Sequence, residues 1–220
     1  MGTLLMRIAA PMQSWGTQSN FTVRDTGLEP SKSGIIGLIC AALGRPRSAN
    51  LADLSELKMG VRIDREGVIK RDFHIVQDVL LGKGKGTKDS IITNRYFLAD
   101  AVFLVGLEGD NSILTSIQSA LKNPVWQLYF GRKAFAPALP VWLNEGLREN
   151  YKLEESLFSF PWITEWRQVD MPDFIRLVIE MPDGEQIRND VPLSFEKRKF
   201  VARRVSTRML ASSLIPQELV

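Results

Sequence analysis

His74 is the one histidine and Cys40 the one cysteine in this chain, so acid–base and nucleophilic chemistry have few places to reside. A single residue of each type excludes zinc fingers, HExxH metalloproteases, paired-histidine sites and an internal disulfide. His74 sits in Arg71-Asp72-Phe73-His74, where it could act as general acid or base of a metal-independent ribonuclease, with a lysine steadying the phosphate. The alternative is a histidine that hydrogen-bonds to backbone, or touches RNA without reacting. Gly82, Gly84 and Gly86 suggest a phosphate loop, but Thr87 stands where both the P-loop and the dinucleotide fingerprint need glycine. No Gly-x-Ser-x-Gly elbow is present. Glu154 and Glu155 are adjacent and therefore splay apart. Neither metal nor cofactor is expected.

What remains is binding by basic groups. Pro30-Ser31-Lys32-Ser33-Gly34 opens a helix and would present free backbone N–H groups beside a cation, a suitable phosphate site. Arg132-Lys133 follows a glycine, and Arg95 stands at the base of a Gly/Lys loop that carries Lys83 and Lys85. Lys197, Arg198, Lys199, Arg203, Arg204 and Arg208 cluster near one strand. The net charge of +3 hides a balance of +5 over residues 1–144, −6 over 145–185 and +5 over 186–208. Such segregation matters more to a partner than the total. With 45% hydrophobic and 24% charged residues the chain is globular. It carries no apolar run of ~18 residues and no secretory leader, so a cytoplasmic, reducing location away from membranes is expected.

These groups need a scaffold, and the periodicity supplies one. Thr3–Ala9 reads as a first strand. Ile35, Leu38, Ile39, Ala42 and Leu43 form one apolar stripe of a helix that Ser31 or Ser33 can cap and Gly44 can end before Pro46. Cys40 lies inside this helix and reads as an inert buried thiol. Gly34 and Gly37 on the same helix permit close approach of other backbone. A short helix over 50–57 follows. Strands are predicted over Lys58–Asp64, Val68–Val79, Tyr96–Leu107 and Val125–Phe130, with a mobile basic loop over 81–89 and a helix over Asn111–Lys122 showing Ile113, Ile117 and Leu121. This order is that of an α+β, ferredoxin-like (RRM-like) domain over 1–136, the commonest platform for single-stranded RNA. From 137 to 220 a smaller β-rich subdomain is expected, with a Phe174–Met181/Glu185–Val191 hairpin and a last strand from Lys199.

Several blocks carry a resemblance. Met12-Gln13-Ser14-Trp15-Gly16, Arg24-Asp25-Thr26, Ser33-Gly34-Ile35-Ile36-Gly37-Leu38, Arg71-Asp72-Phe73-His74, Tyr129-Phe130-Gly131-Arg132-Lys133 and Phe195 with Arg203-Arg204-Val205 resemble the CasD family, the Cas-five-type subunits of type I-E CRISPR Cascade complexes. The resemblance implies a noncatalytic, cytoplasmic subunit for antiviral defence. Such a subunit grips the 5′ handle of the CRISPR RNA and caps the foot of the complex. It contacts a CasC-type backbone subunit and a CasA-type large subunit, and meets target DNA only through the complex. It also implies a thumb inserted at about 80–95, seated against RNA and the backbone subunit. The RNA-binding set is then Gln13, Trp15, Arg24, Lys32, Ser33, Gly34, His74, Lys83, Lys85, Arg95, Arg132, Lys133, Arg203 and Arg204. The rival is an endoribonuclease that processes precursor CRISPR RNA through His74.

Overall fold

The computed structural model describes residues 1–19, 22–80, 86–163 and 170–217. Strand β1 (Gly2–Ala9) is buried along its whole length because both of its faces are covered. Leu4, Met6 and Ile8 point into the core built with α1 (Lys32–Leu43) and α3 (Asn111–Lys122), while Leu5 and Ala9 join the core built with α4 (Leu153–Ser159). This is the period-2 alternation of a strand, here apolar on both sides.

After β1 come two short strands, β2 (Met12–Gln13) and β3 (Val23–Arg24). Helix α1 follows, capped by Ser31, whose Oγ accepts from Gly34 N–H at 3.3 Å. It ends at Gly44, which adopts φ 70° as the left-handed terminator. A one-turn α2 (Ala52–Ser55) leads to β4 (Lys58–Arg65), β5 (Val68–Leu80), β6 (Thr87–Ala99) and β7 (Val102–Gly109). Asp110 caps α3, its carboxylate accepting from Ser112 N–H at 2.8 Å. Leu114, Ile117 and Leu121 are the buried side chains of α3, and Ile113 packs at the margin of the core. Beyond it lie β8 (Trp142–Glu149), α4, β9 (Phe174–Glu180), β10 (Gln186–Ser194) and β11 (Lys199–Ala211).

Seven strands form one antiparallel sheet in the order β10-β11-β9-β4-β7-β1-β8. A second sheet holds β2, β6 and β3, with β5 paired to β6 as a ribbon from Val68↔Ala99 to Leu80↔Thr87. Arg62 fastens α4 to the larger sheet. Its fully buried guanidinium forks onto Asp64 at 2.6 and 2.7 Å and donates to the carbonyls of Leu157, Phe160 and Pro161, tying β4 to the end of α4.

The structure corrects several sequence expectations. The apolar stretch 96–107 is two strands, because Asp100 takes φ 58° and passes the chain from the ribbon into the main sheet. Residues 125–130 form no strand: the N–H groups of Val125 and Trp126 bond instead to the Ala42 and Ala41 carbonyls at the end of α1. The edge position beside β1 is taken by β8. Strands β9 and β10 do not pair as a hairpin, since β11 lies between them and Gly184 of the intervening turn packs against Val205 backbone. Part of the expected loop is strand, with Thr87, Lys88 and Asp89 in β6, while 81–85 lie outside the described residues. The boundary expected at 137 does not coincide with a break in the sheet, because β8 pairs with β1 and β9 with β4.

Candidate nucleic-acid interface

The Met-Gln-Ser-Trp-Gly block builds the wall of a cleft. Gln13 is fully buried; its Nε2 donates to the Ala101 carbonyl at 2.8 Å, and its Oε1 accepts from Trp15 Nε1 at 3.1 Å. Trp15, held by that bond, lies over the start of α1, where a Cβ on Gly34 would stand 2.9 Å from the indole. Its other neighbour is Phe130, at 5.7 Å between ring centroids. Gly131 then turns the chain with φ 86°, and an added Cβ would sit 1.8 Å from the Ser14 carbonyl oxygen. No other residue type fits there, and the turn sets the direction in which Arg132 leaves the backbone.

The cleft encloses about 510 Å³ between β3, β6, the α1 start and the β10–β11 turn. It brings together Trp15, Arg24, Ser33, Gly34, Arg95 and Arg132 of the expected set. Arg24 and Arg95 are Cα partners in the parallel β3–β6 pairing. Arg132 reaches in from the Gly131 turn, donating through Nη2 to the Tyr96 carbonyl at 2.7 Å and stacking on Phe135 at 5.2 Å. Its Nη1 is buried without a hydrogen-bond partner among the described residues. Burial lowers the Arg132 pKa from its ordinary value; Arg95 and Arg24 push it the same way, against Asp72 and Asp25. Asp25 also lines the cleft, but its carboxylate is occupied locally, accepting from the N–H groups of Thr17 and Gln18 and from Ser19 Oγ. The cleft is thus a cationic slot whose donors are not used up by the protein.

Two aromatic residues close it. Phe195 and Phe200 flank the turn carrying Lys197, Arg198 and Lys199, and both line the cleft. Sequence reasoning placed neither Phe195 nor Phe200 in the binding set, although Phe195 stood in a family-like block; the signal was the pair of phenylalanines bracketing a basic turn.

Other expected residues stand apart. Lys32 is buried, 1% exposed, with Nζ 3.0 Å from Glu180, so its ammonium faces an internal carboxylate instead of a phosphate. Its backbone N–H donates to Asp190 Oδ2 at 2.7 Å, so one donor of the helix start is occupied as well. Arg203 is likewise internal, forked onto Asp190 at 2.7 and 3.0 Å. Arg204 is exposed near the Gly184 turn, outside the cleft. Lys133 is exposed next to Arg132. His74 lies on β5 with Nε2 2.9 Å from Asp72, and Asp72 is the Cα partner of Arg95, which makes this ribbon face an extension of the cleft. Lys83 and Lys85 lie outside the described residues. Among the described residues no group of three or more His, Cys, Asp or Glu side chains could hold a metal, and no helix is long and apolar enough to cross a membrane.

Residues 3–206, which contain every part of the cleft, match the family described as CRISPR-associated protein (Cas_Cas5). The chain belongs to this Cas5 family. It is 32% identical over 156 residues to the CRISPR system Cascade subunit CasD of Escherichia coli (strain K12), covering 64% of this chain and 70% of that protein. Among solved structures it is similar to one described as "Crystal structure of Cas protein", with 40% identity, a TM-score of 0.81 and 98% of both chains covered. It is also similar to a chain of a "CRISPR RNA-guided surveillance complex", with 35% identity and a TM-score of 0.77 over 98% of this chain and 93% of that one. Family membership therefore extends to the β9–β11 region that closes the cleft.

Proposed function

We propose that this Cas5-family chain is a noncatalytic RNA-anchoring subunit of a type I-E-like Cascade complex, and that its cleft grips the 5′ handle of the CRISPR RNA. The observation that carries this reading is the convergence of Arg24, Arg95 and Arg132 in a cleft walled by Trp15, Phe195 and Phe200, with one guanidinium N–H buried and unsatisfied. Like charges held together in the free protein are relieved by a phosphate, and arginine offers a fork suited to one. Aromatic walls suit the unstacked bases of a single strand. The succession β1-α1-β4-β7-α3-β8, with β4-β7-β1-β8 as neighbours, supports a ferredoxin-like platform. The β5–β6 ribbon supports the thumb reading: it exposes Phe73, Ile75 and Ile92, surface that a CasC-type backbone subunit would cover. The CasA-type large subunit and target DNA are then met only within the assembled complex.

Gel shifts of the purified chain with handle RNA and with a scrambled RNA test this. The Arg95→Ala/Arg132→Ala pair should weaken handle binding more than 10-fold. It should also flatten the salt slope by about 1.4, at ~0.7 for each single-strand phosphate that is no longer neutralised. Equal affinity of the wild type for both RNAs would leave a protein-only scaffold. One observation favours the ribonuclease alternative, the oriented His74–Asp72 contact at 2.9 Å. Site-specific cleavage of precursor RNA in EDTA, abolished by His74→Ala, would establish it and refute the noncatalytic reading.

A further inference from the structure

Beside the cationic cleft, and sharing Ser33, Gly34, Gly131 and Phe195 with it, is a second hollow of about 520 Å³ that is mostly apolar. Its floor is the outer face of α1 around Gly37 and Ala41, and its wall is formed by Trp126 and Tyr129. Those two rings are 48% and 37% exposed although both are large and apolar. They are not loosely placed: the Trp126 N–H bonds to the Ala41 carbonyl at 3.1 Å and the Val125 N–H to Ala42 at 3.0 Å, which fastens their segment to the end of α1. Arg47 is exposed on the rim and donates to the Phe195 carbonyl at 3.3 Å.

The glycine on the floor is a separate observation. Gly37 lies inside a helix, where alanine would be more stable. Packing does not demand glycine there, because an added Cβ would meet only Phe195 Cζ, at an ordinary contact distance of 3.7 Å. Gly34, one turn earlier, differs: Trp15 occupies the space its Cβ would need. The sequence therefore forgoes helix stability at a position of α1 where packing does not require glycine and where the missing side chain deepens this hollow.

We infer that this hollow is a nucleobase pocket, taking one unstacked base of the strand whose phosphates lie in the neighbouring cleft. A flat aromatic guest fits the apolar floor and the exposed indole and phenol rings, and continuity with the arginine cleft supplies the phosphodiester on either side. The inference rests on the RNA-anchoring reading above and adds a specific position for one base.

The test is fluorescence anisotropy with handle RNAs carrying one abasic nucleotide at each position in turn. For the wild type, one position should weaken binding about 10-fold, the size of a single base–aromatic stack. Gly37→Met fills the hollow without entering the core, and Trp126→Ala removes the wall; both should weaken the intact handle and erase the penalty at that position, with the thermal midpoint kept. If Gly37→Met and Trp126→Ala bind every abasic handle as the wild type does, while Arg95→Ala/Arg132→Ala loses binding, the pocket is refuted and the cleft stands. If the arginine pair also binds normally, both fall.

Discussion

Lys32 and Glu180 separate two roles that residue type alone confuses. Lys32 Nζ lies 3.1 and 3.0 Å from the two oxygens of Glu180. The same carboxylate accepts from Met59 N–H at 3.2 Å and from Arg203 Nη1 at 3.4 Å, while Arg203 is forked onto Asp190. Glu180→Ala would leave a buried ammonium without its nearest carboxylate, and Asp190 is already engaged by Arg203 and by the Lys32 N–H. Breaking a buried pair in this way costs about 3–5 kcal/mol, a third or more of a total stability of ~10 kcal/mol. Lys32→Met leaves Glu180 paired with Arg203 and partly exposed, so the loss should be about 1 kcal/mol. Lys32→Met/Glu180→Gln should recover most of what Glu180→Ala loses. The pH dependence has a definite sign. Burial holds the Lys32 ammonium below its usual pKa, with Glu180 opposing. Without Glu180 the folded-state value drops further while the unfolded value stays near ~10.4, so the unfolded chain binds more protons between the two and stability rises with pH in that window. Urea unfolding at neutral and at alkaline pH measures this, and RNA gel shifts supply the second readout. Lys32→Met should leave the salt slope of handle binding unchanged. A flatter slope with stability intact, or a Glu180→Ala protein as stable as the wild type, would refute the internal ion pair.

Gly131→Ala forces a Cβ onto the Ser14 carbonyl at φ 86°. It should cost at least about 1–2 kcal/mol in urea unfolding and lose handle affinity with it, as Arg132 swings out of the cleft. Burial pushes the Cys40 thiol up to about 11 from 9.0. The folded thiol therefore stays protonated while the unfolded one ionises, so stability present below pH 9 should fall by roughly 1–3 kcal/mol as pH rises through 11. Cys40→Ala should flatten that limb of the pH profile, and a native thiol that reacts with iodoacetamide as fast as the unfolded one would contradict the burial.

What was legible in the sequence was local. Ser31, Gly44 and the apolar stripe between them delimit α1 because capping and periodicity act within a few residues, and α3 behaves alike. Arg24 and Arg132 were readable as basic residues in blocks shared with a family and Arg95 as the base of a Gly/Lys loop, yet their meeting depends on a parallel β3–β6 pairing and on the Gly131 turn. Lys32 misled because Glu180 and Asp190, which take its charge and its N–H, stand some 150 residues away. The 174–191 hairpin failed for the same reason: turn chemistry at Pro182-Asp183-Gly184 is local, but β11 inserts between the strands it joins. Gln13 and Trp15 were legible as important, although their work is to hold the cleft wall through each other and Ala101.

The most direct test of the RNA-anchoring cleft is zero-length photocrosslinking. Handle RNA carrying 4-thiouridine is bound to the purified chain, irradiated and digested, and the modified peptides are mapped. Crosslinks are expected on the peptides containing Trp15, residues 129–132 and Phe195–Phe200, and should vanish in the Arg95→Ala/Arg132→Ala protein. Crosslinks confined to other surfaces, or unchanged by loss of the two arginines, would contradict it.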